Sequence, residues 1–482
     1  MNSKFHRRGL FQLSAAAITY LTSLKNSVKA EVFQPKFSEE EVQVDRQQLS
    51  KLPTQRRREL SFELGRYPMV QAATTSDTTF INALVPRLRK FKYEISGPDG
   101  KRTIDPYEVV SLPTMHWKID KVKITGLQPG VEYKIKPCLE NKDGSKSYSD
   151  DRIFKTLDES RSDLNILFGS CLSEEDYFED AMNPMWSKIS EVSPDLMLLI
   201  GDLVYVDTFN FVEREKATET DIWLRYIDSI RRIPLYRAKK LTPVLAGWDD
   251  HDAGTNNCHR ESLNIKVAQY VFRKFFLGQN IPGIYDQGSD GIYWSYRNET
   301  MDLILLDDRS FKQPPSQFQS NSDLEEKYSL LGEGQQDWLR TQLNKSQKPC
   351  FMMCGTQFIN GAEVKFIESF AQNTKNFECL VQDIRQSQRI VLFGSGDLHI
   401  SEIQSFGKDL FDFPLYELTS SSIHSFSPPK IWENKKRIEG TIKHNFMILN
   451  FDSTSKDSVT VDLVCLSAEE RPLFQKRLLI SR

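Results

Sequence analysis

The chain has 482 residues, 39% of them hydrophobic and 27% charged, enough length for two or three domains and enough apolar content for a large core. Its 63 Lys and Arg nearly balance its 66 Asp and Glu, which gives no general attraction to nucleic acid or an anionic membrane. Beyond the N-terminus, no stretch is long and apolar enough to span a bilayer.

Residues 1–30 read as an export signal. A basic region with Arg7 and Arg8 precedes a mildly apolar segment, LFQLSAAAITYL, and Val28-Lys29-Ala30 fits a small-residue cleavage site. The paired arginines and weak apolar segment resemble a twin-arginine signal, which implies a periplasmic, secreted or surface protein. A short amphipathic helix or a tail is the alternative. Residues 31–60 are polar and basic and read as an irregular lead-in.

From 61 to 157 the pattern is short and strand-like. FKYEISGPDGKR reads as a strand entering a Gly-Pro-Asp-Gly turn, and KVKITGLQPGVEYKIKPCLE alternates apolar and polar residues around a Pro-Gly turn. This spacing predicts a β-sandwich. The string ITGLQPGVEYKIK, with Tyr133 after the turn, resembles the corner of a fibronectin type III domain. DESRSD then marks a boundary, and a second domain covers 163–482.

In that second domain apolar runs alternate with longer helix-compatible stretches, which predicts strands buried on both faces with helices over them. DIWLRYIDSIRRIPLYRAKK and EGQQDWLRTQL have helical spacing, and NFMILNFDSTSKDSVTVDLVCL reads as a closing hairpin or meander. Each apolar run ends in candidate ligands. LNILF leads to Cys171; DLMLLI to Asp202 and Tyr205; LTPVLA to Asp249, Asp250, His251 and Asp252. DLILL leads to Asp307, Asp308 and Arg309; CFMMC to Gln357; RIVLF to Asp397 and His399. Sites in layered α/β folds gather beyond the carboxyl ends of strands, so six such ends predict one polyvalent pocket. Singly, each residue also has a plainer role: Cys171 as a small core residue, Tyr205 as packing, Gly-Asp as a turn, Asp397 and His399 as an ion pair.

Thiolate and tyrosinate are strongly donating anions, so Cys171 and Tyr205 with Asp202 and His399 suit a highly charged transition ion, ferric iron above all. Asp250, Asp397 and Asn256 are oxygen donors and suit a harder ion such as calcium, magnesium or manganese, with Asp202 suited to bridge the pair. Two adjacent cations are a clamp for phosphoryl chemistry. His251 is then a candidate proton donor or phosphate contact, and Arg309 either a bidentate phosphate contact or a salt bridge. The seven cysteines contain no CxxC pair, and no disulfide is readable from their spacing.

The ordered set GSC, GDLVY, WDDHDxGxN, LLDxR, LGEGQxxWL and GDLH resembles the alkaline phosphatase D (PhoD-like) family of metallophosphoesterases over nearly the whole chain. The resemblance implies a four-layer αββα catalytic fold, a fibronectin-type lead domain, ferric iron plus calcium, and hydrolysis of phosphomonoesters and phosphodiesters. It carries metal-ligand roles to Cys171, Asp202, Tyr205, Asp250, Asp397 and His399, and a place at the metals or phosphate to Asn256. Two segments depart from the family pattern. Ala253-Gly254-Thr255-Asn256-Asn257 lacks an aromatic residue and an acid, and Glu417 to Phe426 is one residue short, which makes His424 a structural histidine before a site residue. The expected protein is an exported, monomeric hydrolase of small phosphate esters. A specialised phospholipid or nucleic-acid diesterase is one alternative. A surface binding protein with a purely structural metal is the other.

Overall fold

The computed structural model describes residues 66–482 apart from 112–115, 142, 149, 208–217, 315–329 and 363–366. The export signal and the lead-in lie outside the described residues.

The first nine strands are β1 (Met69–Thr74), β2 (Thr79–Pro86), β3 (Lys92–Gly97), β4 (Gly100–Ile104), β5 (Glu108–Val110), β6 (Trp117–Ile124), β7 (Glu132–Glu140), β8 (Lys146–Tyr148) and β9 (Arg152–Lys155). They form two antiparallel sheets, β1-β2-β6-β5 and β4-β3-β7-β8, with β9 on the side of β7. The Gly-Pro-Asp-Gly turn joins β3 to β4, where Gly97 pairs with Gly100. Tyr133 locks the corner after the Pro-Gly turn. Its hydroxyl accepts the Gln128 N–H at 2.8 Å, and its ring lies where a Cβ on Gly97 would stand, 2.2 Å away.

The side chains of the first sheet serve two cores. Ile81, Ala83 and Val122 meet Tyr93, Ile95 and Ile135 of the second sheet. Val70, Ala72, Phe80, Leu84 and Ile119 join the larger core of the second domain. Every residue of β1 is therefore buried, as is all of β2 before Pro86.

The second domain contains β10 (Ile166–Gly169), β11 (Leu196–Ile200), β12 (Val244–Gly247), β13 (Tyr285–Gln287), β14 (Trp294–Arg297), β15 (Asp302–Leu305) and β16 (Cys350–Met353). They are followed by β17 (Val391–Ser395), β18 (Ser401–Gly407), β19 (Leu415–Thr419), β20 (Arg437–Thr441), β21 (Phe446–Ser455), β22 (Ser458–Leu466) and β23 (Phe474–Ser481). Its helices are α1 (Glu179–Val192), α2 (Glu219–Arg232), the single turn α3 (Asp250–Ala253), α4 (Ile265–Phe276), α5 (Gly332–Asn344) and α6 (Thr374–Ser387). Helix α2 shows why these segments are helical. Thr218 and Asp221 form a capping box, and Ile222, Trp223, Tyr226, Ile227 and Ile230 make one buried stripe.

Two mixed sheets result, ordered β12-β11-β10-β21-β22-β23 and β13-β14-β15-β16-β17-β19-β18-β20. The six apolar runs divide three and three: β10, β11 and β12 run parallel in the first sheet, and β15, β16 and β17 in the second. The sheets face each other through Phe168 and Phe351, whose ring centroids are 5.1 Å apart, and through Gly247, where a Cβ would stand 2.6 Å from Leu305.

Buried polar groups tie the β-sandwich to the residues that follow it. Arg152 bonds Asp150 at 2.9 Å, the Ala238 carbonyl at 2.6 Å and the Tyr67 carbonyl. Lys121 and Asn82 cap the carbonyl end of α4, Lys121 on Leu277 and Asn82 on Phe275, each at 2.8 Å. Removing Arg152 strands a buried carboxylate and two carbonyls. Arg152→Ala is expected to destabilise the protein by about 3 kcal/mol, and a thermal melt that kept its midpoint would show that the clamp is dispensable.

Candidate metal centre

The backbone just past the parallel strands is forced into an unusual shape. Cys171, Asp202, Asp397 and His399 all have left-handed φ, at 61°, 53°, 63° and 55°. That conformation costs a non-glycine residue about 1 kcal/mol or more. Here it turns four side chains from three strand ends of two sheets toward one point. Two glycines make room. A Cβ on Gly201 would stand 2.7 Å from the Asp249 side chain, and one on Gly355 would stand 2.4 Å from it.

Three overlapping groups of donors result, each with ligand atoms within 4.8 Å of one another: Cys171, Asp202 and His399; Asp202, Asp250 and His251; and Asp202, Asp249, Asp250 and Asp397. Asp202 belongs to all three. Tyr205 joins the first group, its hydroxyl 3.1 Å from His399 Nε2 and 3.4 Å from Asp202 Oδ2. Serines hold the soft donors: Ser421 Oγ donates to Cys171 Sγ at 3.0 Å and Ser425 Oγ to Tyr205 Oη at 2.9 Å.

The electrostatics of this pocket are those of a cation site. Burial, reinforced by Asp250 and Asp252 against His251 and Arg309, pushes the Asp202 carboxyl up to about 8. Burial also pushes Asp249 and Asp397 well above the carboxylate range, Asp397 with further help from Asp250. The Cys171 thiol and Tyr205 phenol are raised well above their usual values, again mainly by burial and then by neighbouring anions. His399 falls to about 3 through burial and then the nearby His251. Asp250 is the exception: Arg309 and His251 outweigh burial and hold it ionised far into acid. Asp249 Oδ2 is buried with no hydrogen-bond partner among the described residues. Three buried carboxylates and one half-buried, with a thiol, a phenol and an imidazole, fit metal ions, because a cation among them would favour every anionic form at once.

His251 belongs to the second of these groups and is only partly buried. Its Nδ1 meets both oxygens of Asp207, at 2.8 and 2.9 Å, and its ring stacks on Tyr205 with centroids 4.4 Å apart. Burial opposes its charge, but Asp250, Asp202 and Asp207 hold the imidazolium well above the ordinary histidine range.

Arg309, offered as a phosphate contact or a salt bridge, makes its contacts within the protein. It is fully buried, bound to Asp249 through Nε, to Glu368 at 2.7 Å and to Thr356 at 2.7 Å. These bonds direct its charge into the protein, toward groups of both sheets. Asn256 is exposed; the contact from its loop comes from the Asn257 N–H, which donates to Asp250 Oδ2 at 2.5 Å. Gln357 turns away to Glu402 and Thr419. His424 is buried with both ring nitrogens engaged. Trp186 Nε1 can only donate, so it fixes His424 Nε2 as acceptor at 2.8 Å and leaves the Nδ1 proton to the Ser173 carbonyl at 2.8 Å.

Sequence reasoning assigned no role to Asp207, Ser421 or Ser425, and none to Asp249 beyond its motif. The adjacent acids of GWDDHD were the one available signal, for Asp249. The other three lie far in sequence from what they hold or carry no ligand pattern.

Residues 166–463, from β10 into β22, match the PhoD-like phosphatase family. A solved structure of PhoD resembles the chain with a TM-score of 0.62 at 16% identity, over 87% of this chain and 89% of that one. The structure of the purple acid phosphatase PPD1 from yellow lupin (Lupinus luteus) seeds does so with a TM-score of 0.57 at 12% identity, over 86% of this chain and 74% of that one. At such identities the likeness is one of fold. No curated protein matches the chain.

The raised carboxyls give a signed prediction for metal-free protein. A folded pKa above the unfolded value means stability that is complete below about pH 4 and lost as pH rises toward the folded value. For Asp202 that value is about 8. His251, also raised, loses its contribution in the same direction; His399, lowered to about 3, opposes them only below its ordinary value of about 6.5, and Asp250 matters only in strong acid. Chelator-treated protein is expected to melt at a lower temperature near pH 8 than near pH 5, and bound metal to abolish the difference. Equal midpoints for the chelated protein would contradict this.

Proposed function

The chain belongs to the PhoD-like phosphatase family, and from that premise we propose that it is a metal-dependent hydrolase of small phosphoric esters. The observation that carries this reading is Asp202, shared by three donor groups where the strand ends of two sheets converge.

Cys171, Asp202, Tyr205 and His399 would hold one ion, and their soft anionic donors suit ferric iron. Asp202, Asp250 and Asp397, with Asp249 alongside, would hold a second, and their oxygens suit calcium, with magnesium or manganese also acceptable. Bound there, such ions supply a water nucleophile at neutral pH and neutralise charge on phosphorus oxygens. The remaining work falls to the chain itself. Asp207 occupies His251 Nδ1, so Nε2 is the nitrogen left to protonate the leaving oxygen. The stacked Tyr205 ring keeps the imidazole plane fixed. Asn256, exposed on the neighbouring loop, is assigned to the ester phosphate and not to a metal. Arg309 holds Asp249 in place and does not touch substrate.

The strand order of the lead sandwich and the Tyr133 corner support a fibronectin type III label, and the two facing sheets support the αββα reading. The binding-protein alternative is weakened by the lead domain itself, because one face of its first sheet is buried in the second domain's core. The same covering supports packing as that domain's role. Export rests on residues 1–30 alone, and among the described residues no helix is long and apolar enough to cross a membrane. A monomer remains the proposed state.

Two measurements test this reading. With iron and calcium present, the protein is expected to hydrolyse bis(4-nitrophenyl) phosphate or 4-nitrophenyl phosphate, and the ratio between them reports diester against monoester preference. Asp202→Asn is expected to abolish turnover and lose bound metal; a fully metal-loaded wild type that turned over neither ester would sink the proposal. Asp207→Asn should lower kcat by about 10–100-fold, with KM and metal content little changed. A fall in metal content instead would assign Asp207 to the metal site.

A further inference from the structure

Phe426 is large, apolar and 40% exposed, yet it sits on the segment that supports the metal centre. Isolated exposed apolar side chains are ordinary. This one is unusual in its neighbours and in how firmly its backbone is held. The ring lies 6.0 Å from the ring of His399 at an interplanar angle of 56°. Ser425, immediately before it, donates to the Tyr205 hydroxyl at 2.9 Å and accepts from His444 Nε2 at 2.7 Å through its carbonyl. The Phe426 carbonyl accepts from Ser422 Oγ at 3.4 Å. Pro428 and Pro429 follow and restrict the chain as it leaves. An aromatic ring whose peptide is anchored on both sides loses little freedom when something packs against it.

Tyr205 stands between the two histidines, its hydroxyl 3.1 Å from His399 and its ring face stacked on His251 at 4.4 Å. Phe426 packs beside His399, whereas His251 stacks on the Tyr205 ring. In the phosphoesterase reading, on which this inference rests, the leaving oxygen belongs beside His251. The ester arm retained on phosphorus is then left to the His399 side, where Phe426 lies. We propose that Phe426 is a specificity-determining residue: a stacking platform at the pocket mouth that selects phosphodiesters whose retained arm is a planar aromatic group.

The test uses three diesters with one common leaving group, 4-nitrophenolate, and a methyl, cyclohexyl or phenyl retained arm. Wild-type protein loaded with iron and calcium is expected to prefer phenyl over methyl in kcat/KM by about five-fold, in line with the worth of a good aromatic pair. Phenyl is also expected to lead cyclohexyl, because stacking and not bulk makes the difference. Phe426→Ala should bring the phenyl-to-methyl ratio close to one, and Phe426→Trp should restore it. A wild-type ratio near one, or a ratio unmoved by Phe426→Ala, overturns the platform and leaves the enzyme assignment standing. A cyclohexyl arm equal to phenyl replaces stacking with plain apolar burial and overturns the aromatic preference. Absence of turnover on all three by folded, metal-loaded protein overturns the phosphoesterase reading and the platform with it.

Discussion

Asp202, Asp249, Asp250 and Asp397 bring ligand oxygens within 4.8 Å of one another in the interior, and the rest of the centre is organised around that repulsion. Four ionised carboxylates at such distances are untenable without positive charge among them. The protein itself supplies only part of it. Arg309 reaches from beyond β15 to Asp249, the residue that opens α3 after β12. Asp250 stays ionised because Arg309 and His251 face it. The other three acids are pushed toward their protonated forms, which is the imbalance a bound cation corrects. A phosphatase of this family and the chemistry of its donors therefore point the same way from independent directions.

The same pressure explains the backbone. A parallel strand ending on the axis of its sheet would aim its next side chain to one face or the other. Left-handed residues at Cys171, Asp202, Asp397 and His399 redirect the chain so that ligand atoms meet in the gap between the sheets. That local cost persists only where the surroundings fix the conformation. They do so here through backbone bonds: the Cys171 N–H to the Gly201 carbonyl at 3.1 Å, and Leu172 to Asp202 at 2.8 Å. Strand pairing, which is cheap and cooperative, thus holds ligand geometry, which is costly.

Much of this was legible in the sequence, for a simple reason. Strands buried on both faces must be continuously apolar, so LNILF, DLMLLI, LTPVLA, DLILL, CFMMC and RIVLF stand out, and the polar residues right after them are marked by contrast. The Tyr133 corner was legible because a Pro-Gly turn and an aromatic residue occur at fixed spacing. What escaped was anything decided by direction or by distant partners. No pattern in LLDDR says that Arg309 turns inward to Asp249, because that depends on where the other sheet lies. Ser421 reaches Cys171 from 250 residues away. Asp207 is one acid in a loop until His251 is placed against it. The loop after α3 contributes a backbone N–H from Asn257, to which side-chain identity is blind.

The lead sandwich belongs in this account as well. Lys121 and Asn82, from β6 and β2, satisfy the last carbonyls of α4, which helices otherwise leave unpaired. Helix α4 in turn packs Phe272 against Trp248, with ring centroids 6.0 Å apart, and Trp248 Nε1 donates to Asp307 at 2.9 Å. Trp248 is the residue before Asp249, and Asp307 precedes Arg309 by two. A chain of packed and hydrogen-bonded groups therefore runs from the sandwich to both ends of the Arg309–Asp249 bridge. Because each link is buried and close-packed, a shift of the lead domain has few soft places to be absorbed before it reaches the acids. On this view the lead sandwich helps set the position of the strand that delivers two of the four acids, and its fixed docking is part of how the centre keeps its geometry.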